Sequence, residues 1–299
     1  VAVPRAAPGL KPPVAAPVPA FRHIFTIVME NLPYPSAMSV PTIARLAHAG
    51  AYASEAFGAG HPSLPNYLAL TSGSTDGVSS DCWFCYVNVP NIAQEMAGHH
   101  ISFGAYMEGL PSTGSLIPYW PFSGYAGKHN PFRYYTDIRA SGTLAARIQP
   151  LTALTSLLAG PSDRVPRYAF ITPNLCHDGH DCSPATAGAW LSSYVSTIQK
   201  SAAYKDDGVI FILWDEGSGG DTRGLSPSGR MEAKGGGGQI LIMALGPQVR
   251  AGAVLTTTVG TVSVLKTEEE AMGLPLLGET ADPGIPDLRG FFSVARPAP

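Results

Sequence analysis

The chain has 299 residues, enough for one large α/β domain or two small ones with a sizeable buried core. Only 14% of residues are charged, the net charge is -3 and the pI is near 6.2, which leaves no basic footprint for nucleic acid or an anionic membrane. There is no apolar run long enough for a membrane-spanning helix, while 33 glycines and 28 prolines imply many ordered loops.

Residues 1–20 form a Pro/Ala-rich arm with only Arg5 and Lys11 charged. It is expected as the spacer left after removal of an export signal, with residues 21–299 as a single domain. His23–Met29 is a short apolar, β-branched run that predicts a buried strand ending on Glu30-Asn31. Ile43, Leu46 and Ala47 keep the 3.6-residue period and Gly50 stops the helix. With a strand over Ala51–Phe57 this reads as a first βαβ unit.

The stretch His61-Pro62-Ser63-Leu64-Pro65-Asn66-Tyr67 comes next. Pro62 and Pro65 bias the residues before them to extended geometry and start a helix at Leu64 to Asn66. Ser63 then sits at the N-cap, facing free N–H groups and the positive end of the helix dipole, where a phosphoryl group or oxyanion is stabilised. The alternative is an ordinary serine cap.

Residues 74–90 read as loop, with Trp83, Phe84 and Tyr86 around Cys82 and Cys85. For Trp83, Phe84 and Trp120, packing is favoured over a grip on lipid or an aromatic leaving group. A helix near Asn91–Gly98, with His99 and His100 as partners of its C-terminal dipole, precedes a strand over Ile101–Met107. Residues 109–137 are a long excursion containing Lys128-His129-Asn130-Pro131, of the kind that carries function or covers a site. Residues 143–159 predict a helix and Arg167–Thr172 a strand, which runs into the Pro173 to Cys182 segment.

Ser183-Pro184 opens a helix whose Trp190, Leu191, Tyr194, Val195 and Ile198 share an apolar face. Val209–Trp214 predicts a strand ending at Asp215-Glu216. A Gly-rich loop over 217–238, a strand over Gln239–Leu245 and a helix over Val262–Met272 complete the chain, with Glu268, Glu269 and Glu270 as a solvated helix face. Strands alternating with helices predict an α/β fold, a three-layer sandwich around a largely parallel sheet.

The four cysteines fall in close pairs, Cys82 with Cys85 and Cys176 with Cys182. A zinc knuckle needs tighter spacing in the second pair, so two local disulfides in a secreted or periplasmic protein are favoured. Glu30-Asn31, the Ser63 elbow, the Asn174 to Asp181 cluster and Asp215-Glu216 all follow strands. In a parallel sheet such ends share one edge, where ligands gather. Carboxylates with a hydroxyl suit a divalent metal ion that lowers the serine pKa and neutralises a phosphate, although each acidic pair alone is more often solvated loop.

Ser63-Leu64-Pro65-Asn66 resembles the nucleophile motif of the nucleotide pyrophosphatase/phosphodiesterases. Met29-Glu30-Asn31, His61 to Tyr67, Lys128 to Pro131, Pro173-Asn174 with Asp178 and His180, and Trp214-Asp215-Glu216, in that order, more closely resemble the bacterial phosphoesterase family of the alkaline phosphatase superfamily. That family contains secreted acid phosphatases and non-specific phospholipases C, and the resemblance runs from about residue 22 to 278. It implies an alkaline-phosphatase-like fold and a secreted, metal-dependent phosphomonoesterase acting through a phosphoserine. The alternatives are a phosphodiesterase or phospholipase C on the same site, and a non-catalytic binding protein.

The resemblance further implies Glu30, Asn31, Ser63, Asp215 and Glu216 as metal ligands, with Ser63 as nucleophile. Asn66, Lys128 and His129 would hold phosphate oxygens. Asp178 and His180 would serve a second metal or protonate the leaving alkoxide, and His61 either touches the site or satisfies loop carbonyls. The divalent ion would be calcium, magnesium, manganese or zinc. Family members usually carry a histidine in a Tyr-Asn-His-Tyr-Ser-like run before the last helix. Thr261 stands at that place, which argues for one ion rather than two. The expected substrate is a small phosphate ester or phospholipid headgroup, with no nucleic-acid partner and a monomeric chain.

Overall fold

The computed structural model describes residues 17–217 and 219–293, so residues 1–16 of the expected arm lie outside the described residues. Strands β1 (His23–Met29), β2 (Ala51–Phe57), β3 (Phe103–Met107), β4 (Ile148–Pro150), β5 (Tyr168–Thr172), β6 (Gly208–Trp214), β7 (Gln239–Leu245), β8 (Val254–Leu255) and β9 (Val259–Gly260) form one sheet. Its order is β8-β2-β7-β6-β1-β5-β3-β4, with β9 also on β2. All seven residues of β1 and of β6 are buried, as continuous apolar runs require when helices cover both faces.

The sheet is mostly parallel, with one reversal. β7 runs antiparallel to both β6 and β2. β6 ends at the same edge from which β7 starts, and the connecting loop contains no crossover helix, so the chain can only return antiparallel. The first strand–helix–strand unit is parallel in sense, but β1 and β2 are separated by β6 and β7 rather than adjacent.

The longer helices are α1 (Pro41–Ala49), α2 (Ser63–Ser72), α3 (Ile92–Gly98), α4 (Leu151–Leu158), α5 (Pro184–Lys200) and α6 (Thr261–Met272). The helix expected over 143–159 is broken by β4, leaving a short turn at Gly142–Ala145 and α4 after Pro150. A proline at that point removes a backbone donor and pushes Gln149 to extended geometry. Asn91 and Ser183 cap α3 and α5, accepting from Gln94 N and Thr186 N at 3.1 Å each.

α2 has all ten residues buried. It ends on Gly73 at φ 79°, where a Cβ would meet Leu277 O at 2.1 Å. It packs beside α6. There the expectation of a solvated acidic face fails, because Glu268 and Glu269 are fully buried. Thr26 Oγ1 and Tyr168 OH donate to Glu268, the latter at 3.1 Å. Leu277 N and Thr280 Oγ1 donate to Glu269 at 3.0 and 2.7 Å. Burial pushes both carboxyls up to about 8. They are core groups in their neutral form, each with both oxygens hydrogen-bonded.

Candidate active site

β1 and β6 run in parallel register from His23 opposite Gly208 to Met29 opposite Trp214. Glu30 and Asp215 therefore leave the sheet together. Asp215 N donates to Met29 O at 2.9 Å, Asn31 N to Asp215 Oδ1 at 3.0 Å, and Glu30 N to Asp178 O, beyond β5, at 3.0 Å. Three carboxylates are thus held near one another by main-chain bonds, and Glu30, Asp178 and Asp215 are fully buried.

Burial raises the Glu30 pKa well above the carboxylate range, with the Asp215 and Asp178 charges adding to it. Burial and the Glu216 charge do the same to Asp215, and burial pushes Asp178 up to about 7. His129 lies between two of the three, Nε2 3.1 Å from Glu30 Oε1 and Nδ1 3.1 Å from Asp178 Oδ2. Burial first, then Lys128 and His180, lower its pKa well below the ordinary value and keep the ring neutral.

Ser63 is the first residue of α2 and Pro62 its N-cap, so the expected N-cap position is corrected by one residue, and the N-cap residue itself offers no side-chain bond. The Ser63 hydroxyl donates instead to Glu30 Oε2 at 3.0 Å, while Tyr67 OH donates to Oε1 at 2.7 Å. Lys128 Nζ donates to Asp81 Oδ2 at 2.8 Å, to His180 Nε2 at 3.1 Å and to Ser63 Oγ at 3.4 Å, one acceptor for each proton. Burial opposes its charge, but the Asp81 hydrogen bond and the Glu30, Asp81 and Asp215 charges outweigh burial and hold the pKa above the usual lysine value. His180 Nδ1 in turn faces Asp181 Oδ1 at 2.7 Å, and His180 N donates to Asp178 Oδ1 at 2.8 Å.

Two residues expected to hold phosphate are placed differently. Asn66 accepts from Ala59 N and Gly60 N at 2.7 and 3.0 Å and donates to Gly60 O and Pro62 O at 2.8 and 3.1 Å. Its amide is spent shaping the elbow. His129, 2% exposed, is wedged between Glu30 and Asp178 and stacked on Tyr67 rather than turned to an incoming ligand. His61 pairs with Glu216, whose pKa burial raises against the pull of that histidine.

Thr261 stands apart: it opens α6 with its hydroxyl buried and unpartnered, and lines a cavity of about 310 Å³ with Phe57, Ala69 and Leu225. Asp81, which sequence reasoning missed, bonds Leu64 N at 2.9 Å as well as Lys128, and so fixes the lysine to the start of α2. Its one signal is a lone carboxylate directly before the Cys82 to Cys85 pair.

Both expected disulfides are present, Cys82–Cys85 beside Asp81 and Cys176–Cys182 around Asp178 and His180. Of the packing expected for Trp83, Phe84 and Trp120, only local loop contacts are found, Phe84 on Tyr86 and Trp120 on Phe122, and all three rings stay exposed. No helix of the described residues is long and apolar enough to cross a membrane.

Among the described residues no three His, Cys, Asp or Glu side chains form a ready-made metal cage. The donor chemistry nevertheless fits a hard divalent cation. Asp215 Oδ2, Asp178 Oδ2 and both His129 nitrogens are buried without a hydrogen-bond partner. Carboxylates so crowded need either protons or a cation, and Glu30, Asp215 and Ser63 offer oxygens, whereas Asn31 is exposed and turns its amide nitrogen to Glu30 Oε2 at 3.4 Å.

The model of the Phosphoesterase family matches residues 21–275. A phosphatidylinositol-3-phosphatase of Mycobacterium tuberculosis is 31% identical over 92% of this chain and 85% of its own. A phosphate-repressible acid phosphatase of Penicillium chrysogenum is 31% identical over 66% of this chain, and the match spans about half of that relative, 48%. In fold, the chain is similar to a solved alkaline phosphatase superfamily protein of Vibrio parahaemolyticus, with a TM-score of 0.58 at 12% identity over 91% of this chain and 71% of that one. The fold is alkaline-phosphatase-like, and a family model matched along most of its length places this chain in the Phosphoesterase family.

Proposed function

We propose that the protein is a phosphoric ester hydrolase, a metal-dependent phosphomonoesterase in which Ser63 is the nucleophile. The observation that carries this reading is the Ser63 hydroxyl. At the start of a fully buried helix it caps nothing, donates to Glu30 Oε2 at 3.0 Å and lies 3.4 Å from the Lys128 ammonium. As the first helical residue it has no cap to make, and the free N–H of Leu64 is met by Asp81 instead.

In the reaction, Ser63 Oγ forms a bond to phosphorus as the ester oxygen leaves with its electron pair. Its proton passes along the existing hydrogen bond to Glu30. Lys128 holds non-bridging phosphate oxygens, and its charge is sustained by Asp81. His180 accepts from Lys128 at Nε2 and faces Asp181 at Nδ1, so it steadies the ammonium. The departing alkoxide takes its proton from water, and a second water then releases phosphate from the serine, whose oxygen regains the proton held by Glu30. Asn66 positions the elbow, and His129 spaces Glu30 from Asp178. Glu30, Asn31, Ser63, Asp215 and Glu216 would hold one divalent cation, which when bound supplies charge neutralisation at the phosphate and a lowered serine pKa.

The two disulfides support an exported protein, and the phosphatase names of the mycobacterial and fungal relatives support a small phosphate ester or a lipid phosphate as substrate. The test is phosphate release from p-nitrophenyl phosphate, against the bis ester, with acid-quenched peptide mapping. Release from the monoester with a phosphate adduct on the Ser63 peptide is expected. Release with no adduct would replace the covalent route by direct attack of water.

A further inference from the structure

Nine large apolar side chains are exposed among the described residues, and six of them, Trp83, Phe84, Tyr86, Tyr119, Trp120 and Phe122, stand on two loops. Phe122 is 86% exposed, Phe84 69% and Trp83 57%, well beyond ordinary surface aromatics, which bury most of their rings. Both loops are rooted at Lys128. Asp81, which takes its ammonium at 2.8 Å, directly precedes the loop closed by Cys82–Cys85. The hairpin of Tyr119–Trp120 with Tyr125–Ala126 runs straight into the Gly127–His129 turn that carries Lys128.

Arg133, itself buried, ties the two together, donating from Nη1 to Trp83 O at 3.1 Å and from Nε to Leu116 O at 3.2 Å. The disulfide and this guanidinium keep the loops from folding their rings back into the body.

From this placement we infer that the two loops form a docking surface for a lipid bilayer, which seats the Ser63 site against phosphorylated headgroups. Charge selects this occupant. In a chain with 22 Asp and Glu, stretches 82–94 and 109–136 contain no carboxylate, and the bordering Asp81 and Glu108 are taken up by Lys128 and His177, so the loops themselves do not repel lipid phosphates. A second copy or a protein partner seated on these rings would cover the Lys128 rim. A bilayer covers the rings and supplies the substrate at once. Trp, Tyr and Phe are the side chains that settle at a membrane interface, and insertion of rings needs no basic patch. The lipid surface goes beyond the phosphatase reading and depends on it only for what the docking achieves.

The test uses the whole chain and the double variant F84S/F122S, whose two side chains make no contact with the Ser63 cluster. Co-sedimentation with phosphatidylcholine vesicles, with and without phosphatidate, reads docking whether or not the enzyme is active. The wild type is expected to sediment with both, at low and high salt, and the variant to bind at least about tenfold more weakly. Phosphate release from p-nitrophenyl phosphate should be equal in the two, while release from vesicle phosphatidate falls with binding. A wild type that stays in the supernatant, a variant that binds as well as the wild type, or a concentration-dependent dimer that the variant abolishes would each overturn the proposal. Docking without release from either substrate would leave the surface standing and sink the phosphatase reading instead.

Discussion

Two groups of buried carboxyls lie in this molecule, and they are built oppositely. Glu268 and Glu269 on α6 have every oxygen met by a hydroxyl or backbone donor and no charge partner in reach of a ligand. Glu30, Asp178 and Asp215, beyond the sheet edge, leave Asp215 Oδ2 buried and unpartnered and Asp178 Oδ2 with only a poorly aligned His129 Nδ1 at 3.1 Å. They keep company with a serine hydroxyl and a lysine ammonium. Burial raises the pKa in both groups. What marks a candidate site is the incomplete satisfaction, because a core repays its desolvation fully and a binding site leaves part of it for the ligand.

The comparison breaks first at Ser63. Ser63→Ala is expected to lower phosphate release by on the order of 10⁵-fold or more while leaving the fold intact, since it removes the covalent route but no helix cap. Near wild-type turnover would make Ser63 as structural as Glu268. Metal removal comes next. Chelation should abolish activity and lower the melting temperature, and restoring a divalent ion at a hundredfold excess over its Kd should return about 2.7 kcal/mol. In D215N that thermal response should vanish, while in E268Q it should persist.

Asp81→Asn should lower kcat by roughly ten- to a hundredfold with little loss of stability, because it loosens the Lys128 ammonium without removing it. An unchanged kcat would mean that the Asp81 contact is decorative. The core pair is read in stability rather than in turnover. Glu268 and Glu269 bind protons in the folded state up to about 8, against about 4.5 unfolded. Their contribution is fully present below pH 4.5 and lost as pH rises through about 8, with a slope of up to about 1.4 kcal/mol per pH unit for each group. Denaturant melts between pH 5 and 8 should show stability falling with pH, and E268Q, uncharged throughout, should flatten that fall.

Much of the frame could be read along the chain. β1 and β7 occupy the predicted residues because apolar, β-branched runs without alternation fit a sheet covered on both faces, whereas β2 keeps its predicted bounds with alternating burial. Ser183 before Pro184 was legible as the start of α5 from local chemistry alone. The Glu268 to Glu270 run was not. Its residues read as solvated because acidic side chains usually are, and only the hydroxyls of Thr26 and Tyr168 on other strands permit burial.

By itself the sequence determined the local and the ordered: where strands stop, which polar residues stand at those stops, and the close cysteine pairing. Tertiary structure alone decided what each polar group faces. Asn66, in the middle of the motif, is consumed by four loop bonds, Ser63 turns from its helix to Glu30, and a lone Asp81 becomes the anchor of Lys128. The direction of β7 was likewise decided by which sheet edge its connection leaves. Hydrophobic periodicity reports which face is buried, whereas the partner of a buried donor or acceptor is set by chain segments many residues away, and no local pattern encodes it.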